Sequence, residues 1–142
     1  MRRLSQLCSL QFALALLLLG ACTTLRPTAV PVSENPAVLS LVEQAHAEMA
    51  ENKVHSAVAI IERAQRIEPR NPWLWQELAR LHLAQGNYSQ AESLAARSNT
   101  WAAGDQALRA ANWRLIGSAR AARGDVAGAQ AAERRAVELE RR

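Results

Sequence analysis

The side chains in this sequence that could do chemistry are few. Cys22 offers a thiol nucleophile at the end of an apolar run, directly behind the small residues Gly20 and Ala21. His46, His55 and His82 stand at spacings unsuited to a shared metal, and neither His-Glu-x-x-His nor paired cysteines occur. No Gly-x-Ser-x-Gly elbow and no phosphate loop is present, so neither an enzyme nor a cofactor is expected. What remains is recognition chemistry. Trp73 could anchor a partner, and Arg80 and Arg114 could each hold a carboxylate in a forked hydrogen-bonded pair.

The context of Cys22 is that of an export segment. Arg2 and Arg3 precede an apolar stretch over residues 7–19, which is 13 residues long. A bilayer-spanning helix needs about 20. A charged start, a short apolar middle and small residues before a break mark a secretory signal. Leu-Gly-Ala-Cys at 19–22 resembles the lipobox of bacterial lipoproteins. That resemblance implies that residues 1–21 are a signal peptide, that the Cys22 thiol takes up a diacylglyceryl group, and that its new amino end is acylated too. Several acyl chains on one residue exceed the two-signal requirement for stable anchoring. An ordinary secretory cleavage beside a cysteine is the alternative. Enteric lipoproteins retained in the inner membrane carry Asp after the cysteine. Thr23 stands here, which by resemblance implies an outer-membrane lipid anchor with the domain facing the periplasm.

Processing would leave residues 22–142, one domain's worth. Without Arg2 and Arg3, Lys+Arg falls from 17 to 15 against 13 Asp+Glu, too small a surplus for a nucleic-acid binder. Cys8 would leave with the signal and Cys22 would carry lipid, so no disulfide is available. Stability must come from packing. Residues 22–37 read as a lipidated cysteine and a flexible tether, because Pro27, Pro31 and Pro36 break helix and favour extended backbone. Fully extended, such an arm reaches roughly 45 Å. Asn35 and Pro36 close it, as a helix N-cap and the first helical residue.

From residue 38 the chain is rich in alanine and poor in internal Gly and Pro, which favours helix. It also repeats. Turn sites fall at Asn52, Gly86 and Gly124, spaced by 34 and 38 residues. After each turn come small residues seven apart on one helix face: Ala57 and Ala64, Ala91 and Ser98, Ala129 and Ala136. Before each turn lies another helix, carrying Leu41 and Ala45, then Trp75 and Ala79, then Trp113 and Gly117. This pattern resembles the tetratricopeptide repeat, a 34-residue helix-turn-helix. The resemblance implies an all-α, right-handed superhelical stack of three hairpins over 38–142, with repeats 38–71, 72–105 and 110–142. An ordinary antiparallel bundle is the alternative. Three departures stand out. Ala103 replaces the closing proline of the second repeat, and residues 106–109 are extra, so Asp105 is expected to cap a long next helix. Glu133 occupies a position that is usually aromatic, which suggests that the last helix faces water.

In this family the first helix of each repeat lines a concave groove. The resemblance places His46 there in the first repeat, Trp73, Gln76 and Arg80 in the second, and Arg114 and Ser118 in the third, among others. Trp73 and Trp75, two apart, point to nearly opposite helix faces. Trp75 holds the packing position, so Trp73 falls on the groove side, unless it lies across the end of a neighbouring helix. The set of Lys, Asn and Arg with which chaperone-binding members clamp a C-terminal carboxylate is not reproduced. The expected protein is a membrane-anchored adaptor or scaffold of the cell envelope, holding an unidentified protein or peptide in its groove. Similar lipoproteins serve pilus assembly, outer-membrane protein insertion and control of peptidoglycan enzymes, and no residue selects among these. A small cell-wall enzyme and a passive structural lipoprotein are the rival readings.

Overall fold

A computed structural model describes residues 32–141; the expected signal segment, Cys22 and the tether up to residue 31 lie outside the described residues. Six helices follow in order: α1 (Pro36–Ala50), α2 (Val54–Ile67), α3 (Pro72–Ala84), α4 (Tyr88–Trp101), α5 (Gln106–Ala122) and α6 (Val126–Glu140). There is no strand among the described residues. Helices pair as α1–α2, α3–α4 and α5–α6, and each pair stacks on the next through α2–α3 and α4–α5. This is the all-α stack of three hairpins that the repeat implies.

The hairpin turn is built the same way three times. Asn52, Gly86 and Gly124 take positive φ, at 61°, 78° and 84°. The following N–H then closes back on the helix: Lys53 to the Glu48 carbonyl at 2.8 Å, Asn87 to His82 at 2.9 Å and Asp125 to Arg120 at 2.9 Å. A left-handed residue with this back-bond is the Schellman helix stop, and glycine or asparagine is the residue type that tolerates it. The first helix of each hairpin starts on a side-chain cap. Asn35 accepts from Ala37 N, Asn71 from Trp73 N and Asp105 from Leu108 N. Each satisfies one of the N–H groups that a helix start leaves open. Asp105 does begin a long helix, the 17 residues of α5. At Ala103, where proline would end a repeat, the chain turns through a positive φ of 44° instead.

Small residues set how closely the helices approach. Ala45, Ala57, Ala64, Ala79, Ala91, Ser98 and Ala136 are all at 1% exposure or less. A Cβ on Gly117 would lie 3.3 Å from the Ala129 carbonyl, so α5 and α6 approach closely there. The larger apolar side chains gather at the front of the stack, where Val38, Leu41, Ile61, Leu74 and Leu78 share one core. Further back the core is mostly alanine, with Ile116 and then Leu139 as the large members.

Residues 32–35 belong to this folded unit, so the domain begins before residue 38. Ser33 Oγ donates to Glu68 at 2.6 Å, and Asn71 Nδ2 donates to the Val32 carbonyl at 2.7 Å. The segment is thereby pinned to the α2–α3 junction.

Between the second and third hairpins the interior is polar. Ser98 Oγ donates to the Pro72 carbonyl at 2.8 Å and accepts from Asn112 Nδ2 at 2.7 Å. Asn112 Oδ1 accepts from Gln76 Nε2 at 2.9 Å. Asn112 and Ser98 are 0% exposed and Gln76 1%. Truncating the middle member leaves the other two with unmet polar atoms away from water. Asn112→Ala should therefore lower unfolding free energy by about 2–3 kcal/mol, read from urea titration by circular dichroism; a loss within about 0.5 kcal/mol, the range of an ordinary surface change, would show that the chain holds nothing.

His82 is a second buried polar group. Burial lowers its pKa from the ordinary 6.5, and the Glu62 charge opposes this weakly. A depressed folded pKa means that the unfolded chain binds the proton more readily. The stability it contributes is present above pH 6.5 and is lost as pH falls from there through the folded value. The melting temperature should drop between pH 7.5 and pH 5, and His82→Gln should flatten that part of the profile.

Candidate functional site

The stack is open between α1 and α3. No Cα of α1 comes within 8 Å of a Cα of α3, whereas α3 and α5 do approach that closely. The space between α1 and α3 is a trough of about 270 Å³. Its apolar lining is Ala45 and Met49 from α1, Ile61 from α2 and Leu81 from α3. Its polar lining is His46, Glu77 and Arg80. Glu77 stands between the other two: His46 Nε2 is 3.9 Å from one carboxylate oxygen and Arg80 Nη1 is 3.6 Å from the other. His46 and Arg80 remain more than half exposed while Glu77 is 20% exposed, so a bound group meets the two basic side chains first.

The six residues expected in the groove divide four ways. His46 and Arg80 meet across the trough. Gln76 does not line it: at 1% exposure it lies inside, against Asn112. The reason is the direct approach of α5 to α3, which covers this position in the second hairpin. Arg114 is exposed, but its fork is already filled. Nη1 and Nη2 donate to the two oxygens of Glu140 at 2.6 and 2.8 Å, and Nε donates to Glu133 at 3.4 Å. These bonds, led by that to Glu140, raise the Arg114 pKa and hold the Glu140 carboxyl below its ordinary value. Ser118 is exposed one helical turn further along α5.

Trp73 is half-buried and lies off the trough. It lines a separate hollow at the α2–α3 junction with Val32, Pro69 and Arg70. Trp75 packs on the front core as expected, with its ring under the Arg97 guanidinium at 4.7 Å and Nε1 donating to the Pro69 carbonyl at 2.9 Å. Glu77 was not foreseen from sequence. The available signal was its position one turn before Arg80 on the same helix face. Cys22 lies outside the described residues. Among the described residues, no group of three or more His, Cys, Asp or Glu is placed to hold a metal. No described helix is long and apolar enough to cross a membrane.

Stacked hairpins around an open trough define a helical-repeat protein, and the comparisons place it more closely. A family model described as tetratricopeptide repeat matches residues 48–112. The globular C-terminal domain of P. aeruginosa LpoP is 41% identical, with a TM-score of 0.71, covering 73% of this chain and 98% of that one. The N-terminal domain of stress-induced protein-1 from C. elegans has a TM-score of 0.68 at 14% identity, covering 75% of this chain and 86% of its own. The second tetratricopeptide domain of Spaghetti (RPAP3), bound to an HSP90 peptide, has a TM-score of 0.64 at 17% identity, covering 73% and 93%. The last two share the fold. Among curated proteins, none matches the sequence. The chain belongs to the tetratricopeptide repeat family and, within it, groups with the LpoP domain.

Proposed function

We propose that this protein is a membrane-anchored adaptor of the cell envelope, held by lipid on Cys22 and binding a protein segment in the α1–α3 trough. The observation that carries the reading is the trough itself. It joins an apolar floor large enough for one bulky side chain to a rim with two basic groups. A buried apolar anchor ringed by polar contacts is the usual anatomy of a binding hot spot. The same fold seats a peptide in the Spaghetti (RPAP3) domain bound to its HSP90 peptide. His46 and Arg80 favour a segment that brings a carboxylate beside its apolar residue. Outer-membrane attachment and a periplasmic domain are supported by the resemblance of residues 19–22 to a lipobox and by Thr23 after the cysteine. The closing stretch of α5, with Ser118, would extend the surface on which the segment lies.

The test is a photo-crosslinking side chain at His46 in intact cells, with the captured protein identified. Arg80→Glu should weaken capture about 10- to 100-fold, the loss expected when a charged anchor is reversed, with the melting temperature held. Met49→Glu should do the same by closing the apolar floor. Capture unchanged by both variants would leave the trough without a partner. Independently, Cys22→Ser should move the protein from the membrane to the soluble fraction; unchanged fractionation would remove the anchor.

A further inference from the structure

The alternation of helices gives the stack two edges. One edge carries the turns at Asn52, Gly86 and Gly124. The other carries residues 32–35, the α2–α3 junction and the α4–α5 junction. The junction edge is physically continuous: Asn71 holds Val32 at 2.7 Å, and Arg70 sits over the Trp101 ring at 5.3 Å. It also holds two of the exposed large apolar residues, Ile67 at 45% and Trp101 at 36%. Around them stand Arg66, Arg70 and Arg97, all exposed. Among the described residues, none of these three has a carboxylate oxygen within the 4.0 Å of an ion pair. The acids of the two junctions are turned inward: Glu68 accepts from Ser33 and Asn71, and Asp105 caps α5. Glu34 is exposed, and at the end of α6 on the same edge Glu138 and Glu140 are exposed but paired with Arg135 and Arg114. The turn edge is different: Lys53 pairs with Glu51, while Arg120 and Arg123 share Glu92.

The place where the chain enters the domain decides what this edge meets. Val32 is fixed on it, and Cys22 lies ten residues earlier. Ten residues span at most about 35 Å. Lipid on Cys22 thus keeps the junction edge within that distance of a bilayer.

We propose that the junction edge docks on the anionic phospholipid surface carrying the anchor, with Arg66, Arg70 and Arg97 on lipid phosphates and Trp101 and Ile67 at the headgroup boundary. The proposal rests on the lipidation of Cys22 set out above. Tryptophan and arginine are the residue types suited to that boundary, one by its amphipathic ring and the other by its forked donors. Each arginine near an anionic surface strengthens partition roughly five-fold and the three together roughly 100-fold, a partition that the tether then raises further. Docking by this edge turns the hairpin turns away from the membrane and leaves the trough open on the side of the stack.

The domain of residues 31–142 forms one compact unit, and the LpoP domain that matches it was solved as a globular domain by itself. It can therefore be tested without lipid. Flotation with vesicles of phosphatidylglycerol and phosphatidylethanolamine should carry the domain, and phosphatidylcholine vesicles should not. Salt at about 1 M, where screening reaches about 3 Å, should release it. Combining Arg66→Gln, Arg70→Gln and Arg97→Gln should cut partition roughly 100-fold, whereas Lys53→Gln on the turn edge should leave it unchanged. If the triple variant melts lower, Arg66→Gln alone, whose side chain stacks on no ring, should still cost roughly five-fold. Absence of flotation, equal partition to phosphatidylcholine, or wild-type partition by well-folded variants would overturn the proposal. So would preference for soluble polyglutamate over vesicles, which would assign the edge to an acidic protein. Because the tested domain lacks Cys22, these results are independent of fractionation of the Cys22→Ser chain, and either reading can fail alone.

Discussion

The hydrogen-bonded line from Gln76 through Asn112 to Ser98 and the Pro72 carbonyl determines the shape of this stack. It fixes α5 against α3 and α4 by directional bonds rather than by bulk. Each bond contributes modestly when made, about 1 kcal/mol net, and costs more when one partner is left alone. That asymmetry specifies one register: sliding α5 by a turn would strand buried amides and a hydroxyl together. The second and third hairpins therefore close on each other with small residues and polar pairs. The first and second are joined through α2 and α3 by ordinary apolar packing around Ile61, Leu74 and Leu78. The α1–α3 side is left open, and that opening is the trough.

The same line connects the interior to the rim. Arg80 Nη2 lies 3.4 Å from Gln76 Oε1 while its Nη1 faces Glu77. One end of the guanidinium thus leans on the buried network and the other on the trough acid. A side chain supported in this way loses less rotamer freedom on binding than a free surface arginine, which lowers the entropic cost of an interface. Arg114 illustrates the opposite state. With both carboxylate oxygens of Glu140 on its fork, it closes the last hairpin across its outer surface, and an exposed pair of that kind contributes little to stability.

Local rules made much of the fold legible in the sequence. Turn sites could be read because a left-handed residue favours Gly or Asn, and helix starts because Asn and Asp before an apolar run are N-caps. The spacing of Ala57 and Ala64, or Ala91 and Ser98, gave the packed faces because helical period is local. Asp105 as a cap followed from the same rule. What could not be read depended on a second element. Gln76 sits at a groove position of its helix, and only the distance to α5 decides that Asn112 covers it. Arg114 offers a free fork in sequence, and only the return of α6 brings Glu140 to it. Trp73 points away from Trp75 as helix geometry requires, but the pinning of Val32 by Asn71 turned its surroundings into a hollow at the junction edge.

The proline-rich stretch before residue 38 shows where composition misleads. Pro31 and Pro36 argue for extended backbone, and extended backbone is readily taken for a free arm. Ser33 and Asn35 supply what the prolines cannot: Ser33 Oγ accepts from Asn35 N and donates to Glu68, so the segment is held by side-chain bonds with no helix or sheet needed. Satisfying polar groups in this way lets Ser33 be 7% exposed without cost. It also shortens the chain available between Cys22 and the folded unit. The hydrogen bonds at Ser33 and Asn71 thus decide where on the domain the chain enters, far from the trough itself.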